Sequence, residues 1–163
     1  MIAVEQQKEE DCKFCILAQK NVTNVKTMYE DADIKVIFYP TLVPGHIALI
    51  PKQHYPLLMK VPEELVYKLF IVAQKFCKQL LEETQYQGFN LVSNNGVDQV
   101  HPHFSLHIIP RREGDGLNFV WQPQQVEDAT FALIEEHLKG KANVAQKEEK
   151  VHEILREYPQ RLP

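Results

Sequence analysis

Three histidines and a serine recur at every second position in one short stretch of the chain. The four residues are His101, His103, Ser105 and His107. Successive side chains of a β-strand point to opposite faces, so these four share one face if the stretch is a strand. One interpretation is a solvent-facing strand that carries histidines by coincidence. We favour a row of imidazoles that binds a metal or a phosphate, or that transfers protons.

A second group of reactive side chains is Cys12-Lys13-Phe14-Cys15, near the start of the chain. Two cysteines separated by two residues can place both sulfurs on one metal ion. A redox-active pair is an alternative, but that pair belongs to a βαβ pattern, which this sequence lacks. A pair of merely buried cysteines is the remaining alternative. We favour a structural zinc ion that ties the N-terminal segment to the sheet.

The composition limits the class of protein. The chain has 163 residues, of which 44% are hydrophobic and 25% charged, and a formal net charge of −4. These values fit one globular domain, alone or with an appendage, and argue against a strongly basic nucleic-acid binder. No stretch approaches the roughly 18–20 apolar residues that span a bilayer, and the acidic start does not resemble a signal peptide. We expect a cytoplasmic protein with no membrane or nucleic-acid partner, and three cysteines argue against a disulfide framework.

Hydrophobic periodicity predicts the elements that position these residues. Apolar residues at spacings of three or four predict a long helix over 62–84 and a C-terminal helix over 126–139. A short turn or helix is expected over 16–20. Apolar or alternating runs bounded by turn residues predict strands over 27–29, 34–38, 46–50, 89–93 and 100–110. This order of elements predicts an α+β fold with a largely antiparallel sheet.

The domain organisation is predicted from the same pattern. Residues 1–11 are polar, and we expect them to be flexible. The folded domain is predicted over 12–139. Gly140 then interrupts the chain, and a charged helical extension is predicted over 140–163, with its helix at 142–158.

The histidine stretch and Pro110-Arg111 after it resemble the motif of the histidine triad (HIT) family, in which three histidines alternate with apolar residues. Three other stretches match the family in order along the chain. They are Cys12-x-x-Cys15, Pro44-Gly45-His46 with Leu49-Ile50-Pro51-Lys52 and His54, and Gly114-Asp115-Gly116 with Trp121. The resemblance covers roughly residues 12–138 and is nearest to zinc-containing bacterial and archaeal members. It implies a HIT-like fold and a homodimer formed through residues 62–84 and 88–93.

The resemblance also implies a ligand set for the zinc ion. In zinc-containing HIT proteins two cysteines and two histidines bind the metal. The matching positions here are Cys12, Cys15, His54 and His103. All four are residue types that bind zinc, and four protein ligands make the site structural.

The resemblance implies a nucleotide site that departs from the family pattern. In HIT enzymes the middle histidine attacks the α-phosphorus and forms a nucleotidyl-histidine, but this chain has Ser105 there. A serine hydroxyl is a poor nucleophile without a positioned base, so we expect the histidine-linked reaction to be impaired. His107 and His46 match histidines that contact the phosphate. Asn94 and Gln99 also occupy the family's usual binding positions.

Two further departures concern ligand binding. Phe38 stands where the family usually has an Asp or Asn that binds the ribose, and the loop over 96–99 is about two residues shorter than in bacterial members. His101 lies at the edge of the predicted site. Ser105 is either a substitution engineered to trap a ligand or a natural divergence. A single engineered change leaves Phe38 and the short loop unexplained, so we favour divergence.

Three functional hypotheses follow. The first is a HIT-family protein that binds nucleotides or other phosphates and is impaired in the histidine-linked reaction. The second is an active HIT-type hydrolase of dinucleoside polyphosphates or nucleoside phosphoramidates, acting through water attack assisted by His107 or His101. The third is an interaction module held together by zinc. Release of AMP distinguishes the second hypothesis, and the absence of any nucleotide effect on the melting temperature would favour the third.

Overall fold

The computed structural model describes residues 12–20, 22–23, 25–39, 43–118 and 127–139. The predicted flexible segment 1–11 and the predicted extension 140–163 lie outside these residues. The chain forms two compact units, residues 1–116 and 117–163, which are described separately. None of the helices in the described ranges is long and apolar enough to cross a bilayer.

A five-stranded antiparallel sheet forms the centre of the first unit. Its strands are β1 Thr27–Glu30, β2 Ile34–Phe38, β3 Ile47–Pro51, β4 Gly88–Val92 and β5 Leu106–Arg111. Their order in the sheet is β1-β2-β3-β5-β4, and every neighbouring pair is antiparallel. The α+β class and the antiparallel sheet predicted from the sequence are confirmed.

The central strand β3 is buried on both faces, which explains its uninterrupted apolar sequence. Ile47 and Leu49 belong to the apolar cluster that includes the long helix α2, Glu63–Glu83. Ala48 and Ile50 belong to a second cluster, with the short helix α1, Lys13–Gln19. Side chains alternate along a strand, so the sheet separates two layers, and each layer contains one helix.

Helix α2 confirms the long helix predicted over 62–84. Pro62 is its N-cap residue, and Glu63 and Glu64 place negative charge in the first turn, where it stabilises the helix dipole. The side chains that α2 buries recur at helical spacing. They are Leu69, Val72, Ala73, Phe76, Cys77 and Leu80.

The strand predicted over 100–110 is shorter than expected. Strand β5 begins at Leu106, so the prediction is wrong for residues 100–105. Pro102 has no N–H for a strand ladder, and the His103 N–H instead donates to the carbonyl oxygen of His101 in a tight turn. The Phe104 N–H donates to Tyr55 outside the sheet.

Helices α1 and α3 are both shorter than α2. Helix α1 begins at Lys13, earlier than the turn predicted over 16–20, and therefore includes Cys15. In the second unit, helix α3 covers Asp128–Leu138, close to the predicted 126–139. It buries none of its residues, and Phe131 and Leu138 are exposed.

Candidate functional site

A cavity of about 410 Å³ lies where the predicted histidine row meets helix α1. His107 pairs with Ala48 of β3, whose side chain belongs to the cluster around α1, so the cavity lies on that face of the sheet. The side chains of the row all reach it, although only His107 lies in a regular strand. The lining residues are Phe14, Tyr39, His46, Val92, Asn94, Gln99, Val100, His101, His103, Ser105, His107 and Ile109.

A glycine turn delivers His46 into this cavity. Gly45 has a φ of +83°, a conformation that L-residues rarely adopt, and its surroundings would be tight for a side chain. A Cβ atom there would lie 3.2 Å from the Tyr86 ring and 3.3 Å from Pro110. The His46 N–H donates to the carbonyl oxygen of Val43, which closes the turn directly before β3.

Three side chains of the cavity form a continuous hydrogen-bonded chain. The Nε2 atom of His46 lies 3.0 Å from Nδ1 of His107. The Nε2 atom of His107 lies 2.9 Å from the Ser105 hydroxyl oxygen. His46 is 3% exposed and Ser105 is 8% exposed, so the two polar groups are held in place inside the protein. The structure thus brings together the three residues predicted to surround a phosphate.

The imidazoles of His46 and His107 are neutral at pH 7. Burial lowers the pKa of His46 to about 4. Burial, and secondarily the neighbouring His46, lower the pKa of His107 to about 4. At the cavity edge, burial and then the charge of Lys13 lower the pKa of His101. Among the described residues that line the cavity there is no lysine, arginine or carboxylate, and the lining is mostly apolar with a few uncharged polar groups.

The unpaired nitrogen of His46 determines how the protons are arranged. Nδ1 of His46 is buried and has no hydrogen-bond partner among the described residues. A buried N–H without a partner is rare, so we assign the His46 proton to Nε2, which donates to His107. Neutral His107 then carries its proton on Nε2 and donates it to Ser105. In this arrangement His107 offers no lone pair to accept the serine proton.

The loop after β4 forms another part of the wall. Asn94 Nδ2 donates to the carbonyl oxygen of Asp98, and Gln99 Nε2 donates to that of Pro56. The Gly96 N–H donates to Oε1 of Gln99. Both predicted binding residues line the cavity and also fix the short loop.

Two aromatic walls were missed by the sequence analysis, and one predicted residue is not part of the lining. Phe38 is 37% exposed, and the cavity is lined by its neighbour Tyr39 instead. The Tyr39 ring is edge-on to His46, with centroids 5.3 Å apart. Phe14 is the other wall, 6.2 Å from the His107 ring. The alternation of side chains along β2 was the signal for Tyr39.

A second cluster, of two cysteines and two histidines, adjoins the cavity. Its members are Cys12, Cys15, His54 and His103, and their ligand atoms all lie within 4.8 Å of one another. Sγ of Cys15 lies 3.2 Å from Nδ1 of His54 and 3.4 Å from Nδ1 of His103. Sγ of Cys12 lies 3.5 Å from the same His103 atom.

This donor set fits a tetrahedral zinc ion. At ordinary zinc bond lengths, sulfur and nitrogen ligands of one tetrahedron lie roughly 3.6 Å apart, close to these distances. Nε2 of His103 donates to the carbonyl oxygen of Pro51 at 3.0 Å, which leaves the lone pair of Nδ1 facing the sulfurs. Two sulfurs and two imidazole nitrogens are ligands that zinc prefers. The four residues could therefore hold a structural metal ion.

Comparison with protein families and curated proteins finds clear relatives. The profile of the HIT domain matches residues 25–114. Adenylylsulfatase HINT3 of Arabidopsis thaliana is 30% identical over 130 residues, which are 78% of this chain and 64% of the plant protein. Adenosine 5'-monophosphoramidase HNT1 of Candida albicans is 26% identical over 135 residues, which are 78% of this chain and 89% of the yeast protein. The chain therefore spans less than two thirds of the plant relative.

Solved structures share the fold. A histidine triad nucleotide-binding protein from Candida albicans matches with a TM-score of 0.67 and 26% identity, over 78% of this chain and 94% of that one. A zinc-bound histidine triad family protein from Mycobacterium smegmatis matches with a TM-score of 0.61 and 28% identity, over 80% and 99%. The predicted HIT-like fold is confirmed.

Proposed function

This chain belongs to the HIT domain family, and we propose that it binds a nucleotide or another phosphate ligand in the cavity around Ser105, His107 and His46. The observation that carries the proposal is the hydrogen-bonded chain of these three side chains. With His107 donating to it, the Ser105 hydroxyl has its own proton available for a phosphate oxygen. Asn94, Gln99 and His101 supply further polar groups on the wall.

We propose further that the protein is impaired in the histidine-linked reaction. Ser105 stands where the family's nucleophilic histidine belongs, and a serine needs a base to become nucleophilic. The tautomers assigned above place a donor on the side of His107 that faces Ser105. The serine therefore has no base in the resting site.

We also propose that the cluster of two cysteines and two histidines binds a structural zinc ion. Bound there, zinc would neutralise the two buried thiolates and supply cross-links but no open position for a reacting water. Cys12 and Cys15 would join helix α1 to His54 before α2 and to His103 before β5. We place the protein in the cytoplasm, where reduced thiolates are available for zinc.

Titration with AMP tests the proposed function. Zinc-loaded protein at an AMP concentration a hundredfold above Kd is expected to melt roughly 5–10 °C higher, because the ligand binds only the folded state. His107→Ala is expected to weaken binding by about tenfold or more, because it removes the donor that leaves the Ser105 proton available for the charged ligand. His137→Ala removes an exposed histidine of α3 and is the matched control. An unchanged melting temperature together with no heat of binding in isothermal titration would contradict the proposal.

An active hydrolase is the second candidate, because two of the relatives are named as an adenylylsulfatase and an adenosine 5'-monophosphoramidase. Rapid turnover of adenosine phosphoramidate or diadenosine polyphosphate, followed as released AMP, would favour this candidate over an impaired protein. Rapid turnover would also argue against an engineered substitution at Ser105, because a variant made to trap its ligand would not turn over. A protein without any nucleotide effect would instead fit the zinc-held interaction module.

We propose that the chain forms a homodimer through α2 and β4. These elements leave an apolar groove on the first unit, and β4 is an edge strand of the sheet. Four large apolar side chains of the groove are substantially exposed, and adjacent exposed apolar side chains of this kind suit a protein interface. They are Phe70, Leu81, Phe89 and Leu91.

Substitution Leu81→Glu tests this dimer. A twofold interface would bring the same groove of both copies together, so each dimer would bury two uncompensated carboxylates. We expect the dissociation constant of the dimer to rise at least a hundredfold. Sedimentation or light scattering would show this as a fall in molar mass. Met59→Glu is the control, because Met59 is 81% exposed and lies outside the groove. A wild-type protein that is monomeric at high concentration would exclude the dimer.

A further inference from the structure

Phe14 is adjacent to the metal cluster in sequence and lines the cavity, which His103 of the cluster lines as well. It lies between Cys12 and Cys15 in sequence, and its side chain is 5% exposed. Its ring forms one wall of the cavity, with centroids 5.3 Å from His101 and 6.2 Å from His107. A change in the position of the cysteines would therefore move a side chain that contacts the phosphate site.

Helix α1 depends on its surroundings for its structure. It has seven residues, and an isolated helix of this length is not stable in water. At its C-terminal end, Gln19 donates to the carbonyl oxygen of Lys52, and the buried Lys35 donates to that of Lys20. At its N-terminal end, the two cysteines of the metal cluster supply polar contacts to His54 and His103.

We propose that metal occupancy of the cluster controls nucleotide affinity through Phe14, which acts as a positioning residue. With the metal bound, the two cysteines fix the first turn of α1 and Phe14 closes the wall beside His107. Without it, the two thiols separate from His54 and His103, and the first turn keeps its apolar packing but loses the polar attachment that fixes its position. Phe14 then leaves the wall, and the bound nucleotide loses an apolar contact and gains exposure to water. This inference rests on the proposed nucleotide site.

Thermodynamic linkage makes the proposal specific. If zinc strengthens AMP binding, AMP must strengthen zinc binding by the same factor. Coupling of this kind is typically 5–150-fold, and we expect about tenfold here. Because Phe14 is the connecting side chain, removing it should remove the coupling and not merely weaken both ligands.

Isothermal titration of AMP into zinc-loaded and chelator-treated protein tests the coupling. For the wild type we expect Kd to rise about tenfold on metal removal. Phe14→Ala should have the weak affinity already in the loaded form, with less than a twofold further loss on chelation. Phe14→Leu keeps an apolar wall and should restore most of the metal effect. The control Phe131→Ala removes an exposed phenylalanine of α3 and should behave as the wild type.

A cobalt-substituted protein keeps the test valid if the metal-free chain unfolds. Cobalt bound to two thiolates absorbs visible light, and its spectrum reports the geometry of the cluster. AMP should shift this spectrum in the wild type and leave that of Phe14→Ala unchanged. An unshifted wild-type spectrum at saturating AMP, or full coupling retained in Phe14→Ala, would overturn the proposal. If AMP does not bind the zinc-loaded protein at all, the proposed function fails; if it binds equally with and without metal, only the coupling fails.

Discussion

Replacing Ser105 by histidine is expected to raise the release of AMP from adenosine phosphoramidate by about a hundredfold or more. Loss of a nucleophile costs an enzyme more than loss of one acid or base group, which alone is worth about 10²–10⁴ in rate. The new imidazole would stand beside the cavity, where Ser105 now lines the wall. Neutral imidazole attacks phosphorus readily near pH 7 and leaves readily once protonated.

The rest of the site is arranged to support this restored reaction. His107 lies 2.9 Å from the Ser105 oxygen and carries a proton that it can donate to a phosphoryl oxygen or a leaving group. His46 holds the His107 ring in place from the other side. Initial rates of AMP release, measured by chromatography at saturating substrate, give the comparison.

Two further variants test whether the gain in rate comes from the new imidazole and whether it requires His107. Ser105→Ala should release AMP no faster than the wild type, because it removes the hydroxyl without adding a nucleophile. Ser105→His combined with His107→Ala should lose most of the gain, because the second imidazole positions and protonates the phosphoryl group. If Ser105→His gains nothing while still binding AMP, the short loop 96–99 must have removed the productive geometry.

Removing the metal is expected to lower the melting temperature of the protein by roughly 10 °C. A ligand present at a thousandfold its Kd stabilises the folded state by about 4 kcal/mol. For a chain of this length, each kcal/mol corresponds to roughly 2–4 °C. The cluster joins α1 to segments before α2 and before β5, so its loss releases a large part of the α1 layer.

The three cysteines provide an internal control for this prediction. Elemental analysis should find one zinc per chain in the wild type and none in Cys15→Ala. Cys77→Ala should keep its zinc, because Cys77 lies in the core on α2, where burial raises the pKa of its thiol to about 11. A wild-type protein that carries no zinc, or that melts at the same temperature with and without a chelator, would contradict the prediction.

Local periodicity was sufficient to predict most of the fold. The spacing of Leu69, Val72 and Phe76 predicts one face of α2, and the apolar run before Pro51 predicts β3. Such patterns are readable because each depends on residues within a few positions of one another. The prediction was wrong for residues 100–105, where the alternating pattern continues but the backbone partners lie elsewhere. The His103 N–H donates to the carbonyl oxygen of His101, and the Phe104 N–H donates to that of Tyr55. No local sequence pattern predicts these two hydrogen bonds.

The predicted metal ligands came partly from residue spacing and partly from the family resemblance. The spacing of Cys12 and Cys15 indicates a metal pair without any structure. His54 and His103 followed only from the family resemblance, and the structure brings them within 4.8 Å of the cysteines. The second role of His103, which donates to Pro51, is visible only in the fold.

The sequence by itself determined the residue types of the site, the α+β class and the serine within the row of histidines. Only the tertiary structure decided that His46 and His107, 61 positions apart, lie 3.0 Å from each other, with His46 buried and His107 partly buried. It also placed Tyr39 in the wall instead of Phe38, and Phe14 between the metal cluster and the cavity. The physical reason is that burial, proton arrangement and hydrogen-bond partners depend on side chains from distant segments. Residue spacing predicts only local structure, such as which side chains share one face of a helix or a strand.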